Sequence, residues 1–501
     1  MPLSTRPFFR TADAPAQTKR LLLLSYHFPP AQAVGALRWQ KFARFIAERG
    51  WGLDVITLHP SDLKSKDPSR LAELPEGMRV LGVPRSSPLI ERIEHEVWTI
   101  YRKLSPRRVG VATEAAENAQ APFPKAERRP GSLGHAEMHW ARHVPRDFVR
   151  TYYAWLEYAR TGAWAHDAAE LAMRVADPRV HLAIVSCGPP HMVHDAGRRV
   201  ARRVGRPFIM DMRDPWRLVQ RLPEEVASPL WMRLAARHER DAVRDATLVV
   251  ANTAPLRAAM QARYPDAADR IITVMNGYDD ERLPRTRRDA RFTLLYAGTI
   301  YLDRDPRLLF RAAARVIREL ALTPAQFGME FIGAADTYAG AEIVGMAAQE
   351  GIREFVRSRP PMSRAMAMQE LAGATMLVSL PQDSDMAIPS KVFEYMRFEA
   401  WVLALTTPQS ATAGVLGVTG ADVCAPDDVD GIAAVLARRY RQFAAGEMPP
   451  RLAQDERFSR RTQARILLDA IDTCCARFEP QPVDGRATGD GTREAGGSSD
   501  T

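Results

Sequence analysis

Residues 20–58 read RLLLLSYHFPPAQAVGALRWQKFARFIAERGWGLDVITL, and the change of hydrophobic period inside this stretch decides the fold. Leu21–Ser25 is an apolar run of strand length. Between Ala36 and Arg49 the apolar positions Leu37, Phe42, Phe45 and Ile46 recur at helical spacing, and Gly50 stops the helix. Leu53–Leu58 is then a second strand. Strand, helix and strand in so short a stretch make one β-α-β unit, which pairs its strands in parallel.

The same alternation runs outward along the chain. Met78–Val83 reads as a third strand, and a helical stretch follows at Asp147–Val175. Strands are expected at His181–Ser186, Pro207–Met210, Thr247–Ala251 and Ile271–Val274. A second series comprises Phe292–Ala297, Met329–Ile332, Glu354–Val356, Thr375–Leu380, Trp401–Leu405 and Ala421–Cys424. Strands separated by helices throughout predict an α/β protein with two Rossmann-like, doubly wound parallel-sheet domains facing across a cleft. The first is expected over residues 20–285 and the second over 286–455, with Glu281–Arg291 and its five arginines as the junction. Residues 456–477 read as a C-terminal helix packing back on the first domain. Residues 1–19 and 478–501 read as disordered ends, and Pro106–Gly134, rich in Pro, Arg, Ala and Glu, as a mobile loop.

Bulk composition excludes several classes. With 501 residues, 46% hydrophobic and 26% charged, the chain has the make-up of a soluble multidomain protein. Its four cysteines have neither zinc-ligand spacing nor the density of a disulfide framework. Met1–Arg20 is polar and proline-dotted, unlike a secretory leader, and no run of about 18 apolar residues occurs. A cytoplasmic location is the expectation. The net charge of +9 is spread among 60 acidic residues, without a zinc-finger, basic-zipper or RNP pattern, so no nucleic-acid partner is expected. The charge suits an anionic substrate or peripheral contact with an anionic membrane face. Only seven of the 69 basic residues are lysine, and Lys391 is the last of them.

Lys391 stands in Pro389-Ser390-Lys391-Val392-Phe393-Glu394-Tyr395-Met396, after a strand and a polar loop. Proline favours a helix start, where free backbone N–H groups attract anions. At 100° per residue Ser390, Lys391 and Glu394 share one arc, while Val392, Phe393 and Met396 lie opposite. A hydroxyl and an ammonium suit a diphosphate, and a carboxylate suits a ribose diol. A salt-bridged surface helix start fits the same pattern.

Four further places carry chemistry. Tyr26–Gly35 is a long strand-to-helix loop without Gly-x-Gly-x-x-Gly, so no dinucleotide fingerprint is present; Gly35 either lets backbone N–H groups close on a ligand or relieves an ordinary turn. His191 and His194 stand one helical turn apart, either suited to proton handling or oxygen contact or simply a pair of surface histidines. They lack a third ligand, and no metal is expected. In Asp211-Met212-Arg213-Asp214-Pro215-Trp216 an arginine between two aspartates at a strand end can be oriented by ion pairing and present its fork to an anion, or the group is a charged turn. Asp383-Ser384-Asp385 reads as a polar loop rather than a metal clamp.

Taken with Tyr26-His27-Phe28-Pro29-Pro30, Ser186-Cys187-Gly188-Pro189-Pro190, Val274-Met275-Asn276-Gly277-Tyr278 and Tyr296-Ala297-Gly298-Thr299, these segments resemble, in order and spacing, the family-4 glycosyltransferases. Those are retaining enzymes of the GT-B fold, and the resemblance covers most of residues 20–467. It implies transfer of a sugar from a nucleoside diphosphate sugar to a hydroxyl of a saccharide or lipid-linked saccharide, with no metal cofactor. It implies that Glu394 holds the ribose, that Ser390 and Lys391 meet the diphosphate, and that Gly298 and Arg304 approach the same phosphates. Arg213, Asp214, His191 and His194 would carry catalysis, with Gly35 on the donor side. The chain departs from the family pattern at Met386, where many members have glutamate, at Glu399-Ala400-Trp401 in place of Gly-x-Pro, and at Ser186–Pro189 in place of a histidine–glutamate pair. A sugar-nucleotide epimerase and a non-catalytic sugar-nucleotide or polysaccharide-binding protein stay open beside the transferase.

Overall fold

In a computed structural model, residues 3–12, 19–85, 144–284 and 290–478 are described. The expected loop Pro106–Gly134 and the tail from residue 479 lie outside them.

The first sheet has eight strands: β1 (Phe9–Arg10), β2 (Arg20–Ser25), β3 (Gly52–Leu58), β4 (Met78–Val83), β5 (His181–Gly188), β6 (Phe208–Met212), β7 (Leu248–Ala251) and β8 (Ile271–Thr273). Their spatial order is β1-β4-β3-β2-β5-β6-β7-β8, and every pairing is parallel except the antiparallel edge pair β1–β4. Helices α1 (Leu37–Glu48), α2 (Ser69–Ala72), α3 (Val144–Val175), α4 (Val193–Val204), α5 (Pro229–Asp245) and α6 (Ala254–Arg263) connect them.

The second sheet has six strands: β9 (Phe292–Ala297), β10 (Phe327–Ile332), β13 (Val356–Arg359), β14 (Met376–Ser379), β15 (Trp401–Leu405) and β16 (Asp422–Cys424). A small hairpin of β11 (Thr337–Tyr338) and β12 (Ala341–Glu342) stands apart. The order β13-β10-β9-β14-β15-β16, all parallel, is the doubly wound order with its reversal between β9 and β14. Around it lie α7 (Arg307–Glu319), α8 (Ile343–Gln349), α9 (Arg364–Gly373), α10 (Ser390–Tyr395), α11 (Ala411–Leu416) and α12 (Val429–Ala444). Finally α13 (Arg460–Ala476) ends the described chain.

Both sheets are covered on both faces, which is why their strands are continuous apolar runs rather than alternating ones. In β2, Leu22 and Leu24 face α3, α4 and α5, while Leu21 and Leu23 face α1. On that second face lie Ala464, Leu467, Leu468 and Ile471 of α13, so the last helix packs against the first sheet. Arg460 fastens its start, donating to the carbonyls of Asn276 at 2.8 Å and Gly277 at 3.0 Å and pairing with Asp279 at 2.8 Å.

Three expectations change. Residues 3–12 are ordered rather than disordered: Phe9–Arg10 pair with Arg79 and Val80, because Phe8 and Phe9 supply an apolar anchor for the sheet edge. Strand β6 runs on to Met212, which puts Asp211 inside the sheet. Strand β13 begins at Val356 instead of Glu354, since Arg353–Phe355 form a 3-10 turn.

Candidate functional site

A doubly wound sheet leaves a crevice at the carboxyl ends of its strands where the order reverses, because the two flanking connections leave on opposite faces. Here those crevices lie between β2 and β5 in the first sheet and between β9 and β14 in the second. The residues singled out in the sequence collect at these two places.

At the second crevice, α10 buries Val392, Phe393, Tyr395 and Met396 and leaves Ser390, Lys391 and Glu394 half-buried on the other side. The Lys391 Nζ donates to the carbonyl of Ala297 at 3.3 Å and lies 3.6 Å from the centre of the Tyr296 ring. The Tyr395 hydroxyl accepts from the Ala297 N–H at 3.1 Å, so this peptide is pinned from both sides. Gly298 follows with φ +133, a conformation that L side chains rarely adopt, and a Cβ there would stand 3.4 Å from Lys391 Nζ. Its N–H is already given to Ile332 O at 2.8 Å, so Gly298 contributes room rather than a donor. Arg304 is buried, forks onto Asp383 at 2.9 and 3.3 Å, and stacks 4.1 Å above the Tyr301 ring.

Electrostatics follow from that packing. Burial, then Arg304, pushes the Lys391 ammonium well below its ordinary pKa, with Asp383 opposing. Burial also disfavours the Arg304 charge, but Asp383 and Tyr301 more than offset it and hold its pKa above the ordinary value. An entering anion would favour the charged form of Lys391, which burial and Arg304 disfavour. The helix adds little of its own: α10 has six residues, so the cationic character belongs to the side chains rather than to a long dipole.

The first crevice is built differently. Arg213 stands just past β6 and donates from Nη2 to Pro189 O at 2.6 Å. The expected orientation by flanking aspartates is corrected here. Asp211 is fully buried and taken by Arg38, through two contacts of 2.9 Å, and by the Trp39 indole at 2.8 Å. Arg38 in turn reaches Val274 O and Met275 O, so Asp211 ties α1 to the end of the sheet. Gly35 has a specific task beside Arg213: a Cβ on it would lie 2.2 Å from Arg213 Nη1 and 2.7 Å from Cζ. The missing side chain leaves the guanidinium its place.

His191 and His194 are packed rather than superficial. His194 is completely buried and exchanges a hydrogen bond with Ser186 Oγ at 2.8 Å, while the His191 ring stacks on Trp216 with 5.0 Å between centres. Burial, then the neighbouring Arg213, lowers the His194 pKa to about 3. His191 is lowered well below the ordinary value by burial, His194 and Arg213 in that order. Both imidazoles are therefore neutral near pH 7. His191 Nδ1, His194 Nε2 and Arg213 Nε are enclosed without a protein partner. Asp214 is pushed up by burial, with Arg213 opposing, and it feels both Asp383 and Arg304 from across the cleft.

Direct contacts also cross between the domains. Thr253 Oγ1 donates to Met386 O at 2.6 Å, Gln220 Nε2 to Asp385 Oδ2 at 3.2 Å, and Arg221 pairs with Asp303 at 3.2 Å. Met386, which stands where the resemblance places glutamate, packs on the core of the first domain.

Several participants escaped the sequence reading. His27, lowered to about 4 by burial and then Arg213, belongs to the first crevice. Asp383 proves to be the partner of Arg304, and Arg364 holds Glu394 at 2.5 Å. The signal for Tyr296 and Tyr301 was legible, since aromatic residues flank Gly298 at a strand end. Nothing local marks Arg364, which is far from Glu394 in sequence. Among the described residues no group of three His, Cys, Asp or Glu side chains is arranged to hold a metal ion, and no helix is long and apolar enough to cross a membrane.

Two Rossmann-like sheets with facing switch points define the architecture class. No family model matches the chain. Over 197 residues it is 30% identical to D-inositol 3-phosphate glycosyltransferase 1 of Catenulispora acidiphila, a match covering 36% of this chain and 46% of that protein. The chain thus spans less than half the length of this curated relative. Among solved structures, Anabaena HepE in complex with UDP and glucose superposes with TM-score 0.55 at 12% identity, over 91% of this chain and all of the other. Sucrose-phosphate synthase of Thermosynechococcus elongatus gives TM-score 0.53 at 12% identity, over 92% of this chain and 100% of that one. The α,α-trehalose 6-phosphate synthase of Burkholderia multivorans gives 0.53 at 12% identity, over 92% and 99%. At such identities the likeness establishes the fold, and the fold is GT-B.

Proposed function

We propose that the protein is a glycosyltransferase that moves a sugar from a nucleoside diphosphate sugar to a hydroxyl of a saccharide or lipid-linked saccharide. The observation that carries this reading is the meeting of Lys391, Arg304 and the bare backbone of Gly298 at the second switch point, with Arg213 and Asp214 across from them. In the reaction the bond between the anomeric carbon and the diphosphate breaks, and negative charge grows on the departing phosphate. Lys391, its charged form favoured by the bound diphosphate, and Arg304, with Ser390 beside them, stabilise that charge where a metal ion otherwise would. Glu394 takes the ribose. Arg213, Asp214, His191 and His194 meet the transferred sugar and the acceptor, with neutral imidazoles suited to hydroxyl groups. Retention of configuration and a place in cell-surface glycan synthesis accompany the family-4 resemblance. The 197-residue match to an inositol phosphate glycosyltransferase and the superposition on a protein holding UDP and glucose support the same class.

A thermal-shift panel of UDP, GDP, ADP and dTDP and their hexose conjugates tests the reading. A true donor at 100 times its Kd raises stability by about 2.7 kcal/mol. Sugar release should require an acceptor and survive EDTA. Conversion without acceptor would replace the transferase by an epimerase, and binding without any turnover by a binding protein. Work at the inner membrane face belongs to this proposal, on the net charge of +9. Binding to anionic vesicles should then fall steeply with salt.

A further inference from the structure

Glu394 lies on the outward side of α10, and one side chain holds it. Arg364 Nη2 stands 2.5 Å from Glu394 Oε1. Arg364 opens α9, whose start is fastened by Ser363 Oγ accepting from the Met366 N–H at 3.3 Å. Helices α9 and α10 follow β13 and β14, and they share an apolar cluster through Leu371, Val392, Phe393 and Met396. The pair therefore joins the first residue of one packed helix to the last turn of another rather than to a loose loop.

Arg364 has other carboxylates within its surroundings. It lines a cavity of about 270 Å³ together with Lys41, Glu73, Asp279 and Glu281. Lys41 takes Glu281, and Glu394 takes Arg364. Both members of the Arg364 pair keep contact with water, at 42% and 22% side-chain exposure, so the pair by itself contributes little to folding. Its consequence is directional. A carboxylate offers about four lone-pair directions, and a guanidinium on Oε1 leaves Oε2 for a ligand.

We infer that Arg364 is a positioning residue for the nucleotide: it holds the Glu394 carboxylate in the orientation that presents Oε2 to the ribose hydroxyls. This rests on Glu394 being the ribose residue. Arg364 acts through Glu394 and not on the phosphates, so its influence should disappear when the ligand has no ribose.

The test measures binding of two probes by calorimetry: the nucleoside diphosphate that binds the parent best in the panel above, and inorganic pyrophosphate. Arg364→Ala should weaken the nucleoside diphosphate about tenfold, a typical coupling between contacting polar residues, and leave pyrophosphate within about twofold. Glu394→Gln should do the same, and the double variant should be no weaker than Glu394→Gln alone. Arg364→Lys, which keeps the charge, should recover part of the loss. Unchanged nucleotide binding in Arg364→Ala would overturn the inference and leave the donor site standing. So would additive losses, or equal losses for both probes, which would make Arg364 an independent phosphate contact. A parent that binds no nucleoside diphosphate removes the donor reading itself, and the inference with it.

Discussion

The two crevices are topological counterparts, yet they are furnished in opposite ways. The second sheet offers paired charge: Arg304 on Asp383, Arg364 on Glu394, and Lys391 on an aromatic face with a single carbonyl acceptor. The first offers neutral rings and spare nitrogens: two buried imidazoles, the Trp216 platform and one guanidinium held by a carbonyl. A crevice of buried basic side chains suits a ligand whose negative charge is permanent and favours their charged forms. One of neutral imidazoles suits hydroxyl groups, whose protons are shared rather than transferred outright until the reaction demands it. Under the proposed function the same strand order serves two halves of one substrate pair, and the difference lies in which side chains the loops and helices after the strands deliver.

The largest effect should follow from emptying the first crevice of its cation. Arg213→Ala is expected to lower kcat by about 10²–10³-fold, the usual cost of one lost charge-stabilising donor. Its melting temperature should hardly change, because the side chain's hydrogen bond is to one carbonyl at the cleft. A parallel loss of stability and activity would instead make the segment a charged turn.

On the other side, Lys391→Met should weaken nucleoside diphosphate binding by about 1.5–3 kcal/mol, the range for a hydrogen bond to a charged group. Lys391→Arg sharpens the comparison. The lysine sits 3.6 Å above a tyrosine ring beside the bare backbone of Gly298, and the larger planar guanidinium should not take the same place, so binding should fall in this variant too. Equal binding by both variants and the parent would move the donor site elsewhere.

Gly35→Ala should reproduce a milder form of the Arg213 defect, about tenfold in kcat, by pushing the guanidinium off its place. The clash is with the far end of a flexible side chain, so stability should move by less than about 1 kcal/mol. Full activity would show that Arg213 has a second productive position.

The smallest effect is a slope. The His194 pKa is about 3 in the folded protein, against about 6.5 unfolded, so the unfolded chain binds the extra proton between those values. Its contribution to stability is complete above pH 6.5 and is lost as pH falls toward 3, by at most about 1.4 kcal/mol per pH unit. Urea titrations at pH 7 and 5.5 should show this loss in the parent and a shallower one in His194→Asn. Identical slopes would place the acid sensitivity on His191 or His27.

Hydrophobic runs were enough to locate nearly every strand of both sheets, because a strand buried on two faces is mostly apolar, with only scattered polar positions such as Asp54 and Asp211. The helical arc through Ser390, Lys391 and Glu394 was equally legible, since Val392, Phe393 and Met396 leave it no other way to face. Chain ends were less so. Phe8 and Phe9 anchor a stretch too short and proline-dotted to show any period.

What the sequence by itself determined is therefore the parallel, doubly wound architecture and the short list of strand ends where chemistry must sit. Both follow from local spacing, which the backbone geometry of helix and strand converts directly into buried and open faces. Only the tertiary structure decided the partners. Asp211 belongs to Arg38 and not to its neighbour Arg213, Arg304 belongs to Asp383, and Glu394 belongs to Arg364. Each of these pairs joins residues from different elements, and a charge chooses its partner by distance in space, of which spacing along the chain carries no record.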